Sequence, residues 1–128
     1  MVLKEFEKKW LFCFAKDIAP KEIQKYVVST GNHIWHIFSW ELLPKGSYLV
    51  GDAARNAYND LAKYERETAL YIEPFGTGES FSLSWQNAVA EKLDDYTEIF
   101  VAAADFSWTY IKTHEGNYCG PYFYRRAK

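Results

Sequence analysis

The fold is decided by residues 99–114, which read IFVAAADFSWTYIKTH. The apolar and β-branched run over 99–104 predicts a strand. The pair at 105–106 predicts a tight connection, and 107–114 predicts the strand that returns beside the first. Because strands joined by so short a connection pair antiparallel, this segment predicts part of an antiparallel or mixed sheet.

Helices are predicted on the amino-terminal side of this pair and between the strands. A second helix is expected to begin at Pro20, whose missing N–H costs nothing in a first turn, and to end before Gly31. Asp52 is placed to cap a third helix, and a short fourth helix is predicted over 86–94. In the first helix, apolar residues repeat with the 3.6-residue period and predict a buried stripe: Leu3, Phe6, Trp10, Leu11 and Phe14. The third shows the same pattern through Ala54, Ala57, Tyr58 and Leu61.

Further strands are predicted along the chain. Residues 32–40 are β-branched and aromatic with both alternating sides apolar, which suits a strand covered on both faces. Segments 69–75 and 80–84 predict two more strands, and 122–124 a short edge strand. The sequence therefore predicts a single α+β domain over 1–128. It should contain a mixed or antiparallel sheet of about four to five strands with three to four helices packed on it.

Composition narrows the class of protein. The 128 residues are 48% hydrophobic and 19% aromatic, which excludes intrinsic disorder. The net charge of -2 provides no positive field for nucleic acid or an anionic membrane, so neither is expected as a partner. The amino terminus lacks the features of a signal peptide, and no apolar stretch is long enough to span a membrane. With only two cysteines, these features predict a cytoplasmic protein.

Histidine and cysteine are the first candidates for chemistry. His33 and His36 would point to opposite sides of a strand over 32–40, so no metal site is predicted at this pair. No cofactor is predicted either, because the sequence has no Gly-rich phosphate loop. His114 and Cys119 would form a nucleophile pair only if the intervening loop folds back. The alternative for Cys119 is a small apolar residue that closes a turn. A solvated acidic face is predicted for the carboxylates Asp94, Asp95 and Glu98.

Residues of alternating position on the last long strand form a second candidate. Trp108, Tyr110, Lys112 and His114 would project to one face of the sheet. One interpretation is a core face covered by the amino-terminal helices, with Lys112 reaching outward. The other is an aromatic and basic surface offered to a partner.

Two stretches together resemble a known family. Residues 34–40 (IWHIFSW), and 105–115 (DFSWTYIKTHE) followed by 119–123 (CGPYF), resemble a family of small domains of unknown function from mainly Bacillus-type bacteria. The likeness spans nearly the whole chain, and the family has no activity to carry over. The carboxy-terminal third is also similar to small immunity- and adaptor-type proteins, which implies binding rather than catalysis.

The leading hypothesis is a non-catalytic module that binds another protein without a cofactor. No catalytic residue is assigned, and the candidate binding residues are Trp35, His36, Trp108, Tyr110, Lys112, His114, Glu115 and Tyr122. The alternative is an enzyme or small-molecule binder that uses His36, His114, Glu115 and Cys119 in a concave pocket. A third possibility is a homo-oligomer that buries its own exposed aromatic side chains.

Overall fold

The computed structural model describes the backbone of residues 1–126 and every side chain in that range except Asn117. Within this range six α-helices form: α1 (Leu3–Phe14), α2 (Pro20–Tyr26), α3 (His36–Ser39), α4 (Asp52–Asn59), α5 (Lys63–Thr68) and α6 (Ala90–Leu93). The same range contains five strands: β1 (Leu49–Val50), β2 (Leu70–Ile72), β3 (Ile99–Ala102), β4 (Trp108–Lys112) and β5 (Tyr122–Arg125). None of these helices has the length and apolar character that a membrane crossing requires.

The described strands form one open antiparallel sheet in the order β1-β5-β4-β3-β2. The predicted pair of strands is confirmed, since β3 and β4 are neighbours with Ile99 opposite Lys112. Phe106 closes their connection in the left-handed region at a φ of 55°. Its backbone N–H donates to the carbonyl of Ala103 at 2.8 Å. The predicted α+β class is therefore confirmed.

The first helix covers one face of the sheet, as its apolar stripe predicts. Trp10 is fully buried, and its Nε1 donates to the Thr109 hydroxyl at 2.9 Å. That hydroxyl donates in turn to the carbonyl of Val101 at 2.6 Å, so the helix is joined to two strands by a buried polar chain. The core on this face also contains Phe6, Phe14, Phe38, Phe100, Phe106 and Ile111.

The opposite face is covered by α4, which corrects one prediction. Trp108 and Tyr110 are fully buried, as the core interpretation expects, but the amino-terminal helices do not cover them. Tyr58 of α4 lies over them, with its ring centroid 4.4 Å from that of Tyr110. The Tyr58 hydroxyl is 3.0 Å from that of Tyr71, and burial raises the pKa of both phenols, that of Tyr71 to about 12.

The strand predicted over residues 32–40 is wrong. The chain turns after α2, with Gly31 at a φ of 105° and Asn32 at 63°, and then forms the single helical turn α3. Its backbone bonds are helical, for example from the N–H of Ser39 to the carbonyl of Trp35 at 3.1 Å. The buried members of the segment, Ile34, Trp35, Ile37 and Phe38, are spaced to face the core from a helical turn.

Two other strand predictions are corrected at the sheet margins. β5 is not an edge strand, because β1 pairs with its free side and places Leu49 opposite Phe123. The strand predicted over 80–84 is reduced to one bridge, in which Phe81 exchanges both backbone hydrogen bonds with Tyr71.

The structure has more helices than predicted, because several are single turns. The helix predicted over 86–94 is present only as α6. A side chain from α4 caps its start: Asn59 Oδ1 accepts the backbone N–H of Ala90 at 2.9 Å. The preceding residue Val89 has an extended backbone, so the helix cannot begin earlier.

Candidate functional site

All three histidines of the chain lie side by side at one end of the sheet. The ring centroid of His33 is 5.2 Å from that of His36 and 5.6 Å from that of His114. His33 and His36 come from the turn and first residue of α3, while His114 follows β4. The predicted separation of His33 and His36 is therefore wrong, because it assumed a strand. We call these three residues the histidine cluster.

A tryptophan packs against the cluster from the core side. The ring centroid of Trp35 lies 4.5 Å from that of His36 and 5.5 Å from that of His114. Trp35 is only 3% exposed, and its indole Nε1 is buried without a hydrogen-bond partner among the described residues. This side chain thus links the cluster to the core while keeping one unused donor.

A buried carboxylate fixes the position of His114. Glu98 is 1% exposed, and its Oε1 accepts from both the backbone N–H and Nδ1 of His114, at 3.0 and 2.8 Å. Because a carboxylate accepts hydrogen bonds, Nδ1 carries a proton and Nε2 of the neutral ring is an acceptor. Glu115 Oε1 is 3.6 Å from that Nε2. The predicted solvated acidic face is wrong for Glu98.

His36 is held in the same tautomer. Its Nδ1 lies 2.8 Å from the carbonyl of Tyr26 and 2.8 Å from the Thr30 hydroxyl. A carbonyl only accepts, so Nδ1 is again the donor and Nε2 the acceptor of the neutral ring. For His33, burial lowers the pKa, while the charge of Glu98 opposes the shift. In their neutral forms, His36 and His114 therefore each present Nε2 as an acceptor.

Two pockets flank the cluster. The first, with a volume of about 310 Å³, is lined by Trp35, His36, Ser39, Trp40, Glu115 and Cys119. The second, of about 230 Å³, is lined by Leu3, Glu7, Gly31, Asn32, His33, Pro74, Phe75, Glu98 and Phe100. Burial raises the pKa of Glu7, and the charge of Lys4 opposes that shift.

Exposed aromatic side chains stand at both ends of the cluster. Trp40 is 57% exposed and lines the first pocket beside His36. Phe75 is 56% exposed, and its ring centroid is 5.6 Å from that of His114. The histidine cluster, Trp40, Phe75 and Glu115 thus form one continuous patch, which we call the histidine surface.

Four of the predicted site residues converge here, and four do not. Trp35, His36, His114 and Glu115 form or adjoin the histidine surface. The other four lie elsewhere. Trp108 and Tyr110 have no exposed area, and Tyr122 packs on Phe38. Lys112 donates from Nζ to the carbonyls of Tyr96 and Thr97. Of the two interpretations of the β4 face, the buried core therefore fits Trp108 and Tyr110, and the exposed surface does not.

Four residues of the site are absent from the predicted set: His33, Trp40, Phe75 and Glu98. A signal for Glu98 exists in the sequence. β3 and β4 are antiparallel and Ile99 lies opposite Lys112. Glu98, one residue before Ile99, therefore lies beside the chain that leads from Lys112 to His114. That register brings the carboxylate within reach of the imidazole.

Among the described residues, no group of three or more His, Cys, Asp and Glu side chains is placed to hold a metal ion. The two Nδ1 atoms of His36 and His114 are already engaged in hydrogen bonds within the protein.

Comparison with known proteins places the chain in a family and gives no activity. Searches of the curated proteins and of the solved structures found no match to the chain. The predicted membership of a family of unknown function is confirmed, while the bacterial origin stays a prediction. The model of a domain of unknown function (DUF4275) matches residues 3–123, and the chain belongs to that family.

Proposed function

We propose that the protein is a non-catalytic cytoplasmic module that binds another protein through the histidine surface. The observation that carries the proposal is the exposure of Trp40 and Phe75 at the two ends of the histidine cluster. Tryptophan is prominent among the residues that dominate binding energy, and an exposed aromatic patch with polar groups between is typical of a contact site.

The rigidity of the polar groups supports the same proposal. Glu98 fixes the ring of His114, and the Tyr26 carbonyl fixes that of His36, before any partner arrives. Side chains that are already ordered lose less conformational entropy when a complex forms. The surface therefore combines apolar anchors with preorganised acceptors.

The proposal is tested by capture of binding proteins with the immobilised chain. We expect Trp40→Ala and Phe75→Ala each to weaken capture at least tenfold, because an aromatic side chain that anchors an interface contributes more than about 1.4 kcal/mol. Phe12→Ala is the matched control, since Phe12 is 74% exposed but lies on α1 outside the histidine surface. Quantitative mass spectrometry of the captured proteins provides the measurement.

Equal capture by the wild type and all three variants would contradict the proposal, as would capture of nothing above background. Light scattering on the same samples separates a foreign partner from a second copy of the chain. A wild-type dimer that Trp40→Ala dissociates would identify the chain itself as the partner.

A second candidate function is supported by the first pocket. His36, Glu115 and Cys119 line it together, and His114 contacts Trp35 in its wall. These are the residues of the enzyme or small-molecule alternative. A nucleophilic thiol requires a lowered pKa, whereas burial and the charge of Glu115 raise the pKa of Cys119. The pocket therefore fits reversible binding better than covalent catalysis.

The raised pKa of Cys119 predicts that its thiol is alkylated slowly. With Cys13→Ser as background, we expect iodoacetamide to modify Cys119 several-fold more slowly at pH 8 than it modifies a free peptide thiol, because less thiolate is present. The rate should keep rising above pH 9. Peptide mass spectrometry measures the rate, and fast modification at pH 7 would instead indicate an activated nucleophile.

A further inference from the structure

We propose that the partner presents lysine or arginine side chains to the two pockets of the histidine surface. This inference rests on the proposed function and specifies the chemistry of the partner. Three features support it: the acidic side chains that line the pockets, the acceptor nitrogens of the adjacent histidines, and the aromatic rings beside them.

The lining of both pockets is acidic. Glu115 lines the first, and Glu7 and Glu98 line the second. None of the described residues that line either pocket is lysine or arginine. A cationic side chain entering either pocket would meet opposite charge, while an acidic one would meet like charge.

Besides the negative charge of these carboxylates, the histidines provide hydrogen-bond acceptors. Because Nδ1 of His36 and of His114 donates within the protein, the neutral form of each ring has Nε2 as its acceptor. Lysine and arginine carry only donors, so they match these acceptors. An acidic side chain, which has only acceptors, does not.

Aromatic rings complete the match. Trp40 exposes more than half of its side chain beside Glu115, and a cation over a tryptophan face gains further stabilisation. The chain already contains such a pair elsewhere, with Lys63 Nζ 3.9 Å from the ring centroid of Trp85.

Among the described residues, two lysines approach this region without lining the pockets. Lys4 is one helical turn from Glu7 on α1 and acts on its charge. Lys25 Nζ is 5.1 Å from the ring centroid of Tyr26, which packs against Trp40. Both are exposed and border the surface, so the pocket interiors keep their acidic character.

The test is a titration followed by two-dimensional NMR with N-acetyl-arginine amide and N-acetyl-glutamate amide as probes. We expect the arginine probe, at low salt, to shift the indole N–H signals of Trp35 and Trp40, and the glutamate probe to leave them in place. Glu115→Gln should weaken the arginine response about threefold, and adding Glu7→Gln should weaken it further. Glu67→Gln, which removes an exposed carboxylate on α5 outside the surface, is the matched control and should leave the response unchanged.

Three results would overturn the inference: no response to arginine, an equal response to glutamate, or an equal loss in Glu67→Gln and Glu115→Gln. Each of them is distinct from failure of the proposed function. If the wild type captures a protein that Trp40→Ala does not capture, the proposed function is supported even when the NMR probes show no preference for arginine.

Discussion

The variant Trp10→Ala is expected to lower the free energy of unfolding by about 3–5 kcal/mol, the usual cost of removing a large buried aromatic side chain. Trp10 has no exposed area, and its ring packs against Phe14 at 5.2 Å and Phe38 at 5.8 Å between centroids. Its loss also removes the donor to Thr109 and leaves an empty acceptor position on that buried hydroxyl. Because a domain of this size is stable by roughly 5–15 kcal/mol, the variant should be at the margin of folding.

Two further variants separate the causes of this effect in urea unfolding experiments. Trp10→Phe keeps most of the ring but removes the indole N–H, so it should cost less than the alanine variant. Trp40→Ala removes a tryptophan that is 57% exposed and should change stability by no more than about 1 kcal/mol. If Trp10→Ala and Trp40→Ala unfolded at the same urea concentration, the buried polar chain from α1 to the sheet would not have the role assigned to it.

The contrast between these tryptophans shows which part of the fold is predictable. The stripe of α1 repeats with a period that only a helix satisfies, so both the element and its buried side follow from the sequence. The pair β3 and β4 is equally well defined, because two β-rich runs flank a connection too short for anything but an antiparallel turn. These two elements determine the α+β class.

Residues 32–40 are mispredicted for a physical reason. The polar members His33, His36 and Ser39 recur every three residues, which is close to a helical spacing, but the segment is too short for this period to be decisive. Its β-branched and aromatic residues favour a strand by propensity instead. The deciding feature is local: Gly31 and Asn32 both adopt positive φ and reverse the chain immediately before the segment.

This error carried over to the site. A strand sends His33 and His36 to opposite faces, whereas the observed turn brings both rings to His114. The alternation of residues along β4 correctly predicted that Trp108 and Tyr110 share one face of the sheet. It does not indicate which helix covers that face, and the structure shows that α4 does. Contacts between α3 and the end of β4 are long-range, and no local pattern encodes them.

The second large loss of stability is expected for variants of Glu98, the residue that joins the core to the histidine surface. Glu98→Ala removes the acceptor of two hydrogen bonds from His114 and should lower the free energy of unfolding by about 2–3 kcal/mol, because the donors left behind are partly buried. The backbone N–H of His114 would lose its partner, and the imidazole would be free to rotate. We therefore expect this variant to weaken binding through the histidine surface as well as stability.

The conservative variant Glu98→Gln distinguishes charge from hydrogen bonding. The glutamine carbonyl can still accept from His114, so most of the stability should be retained. The negative charge is lost, however, and that charge raises the pKa of His33 against the effect of burial. The His33 pKa should therefore fall further in Glu98→Gln, as measured by NMR titration of the ring protons. A rise in the His33 pKa would contradict the sign of this effect. An unchanged value, together with full stability in Glu98→Ala, would show that this carboxylate neither supports His114 nor acts on the cluster.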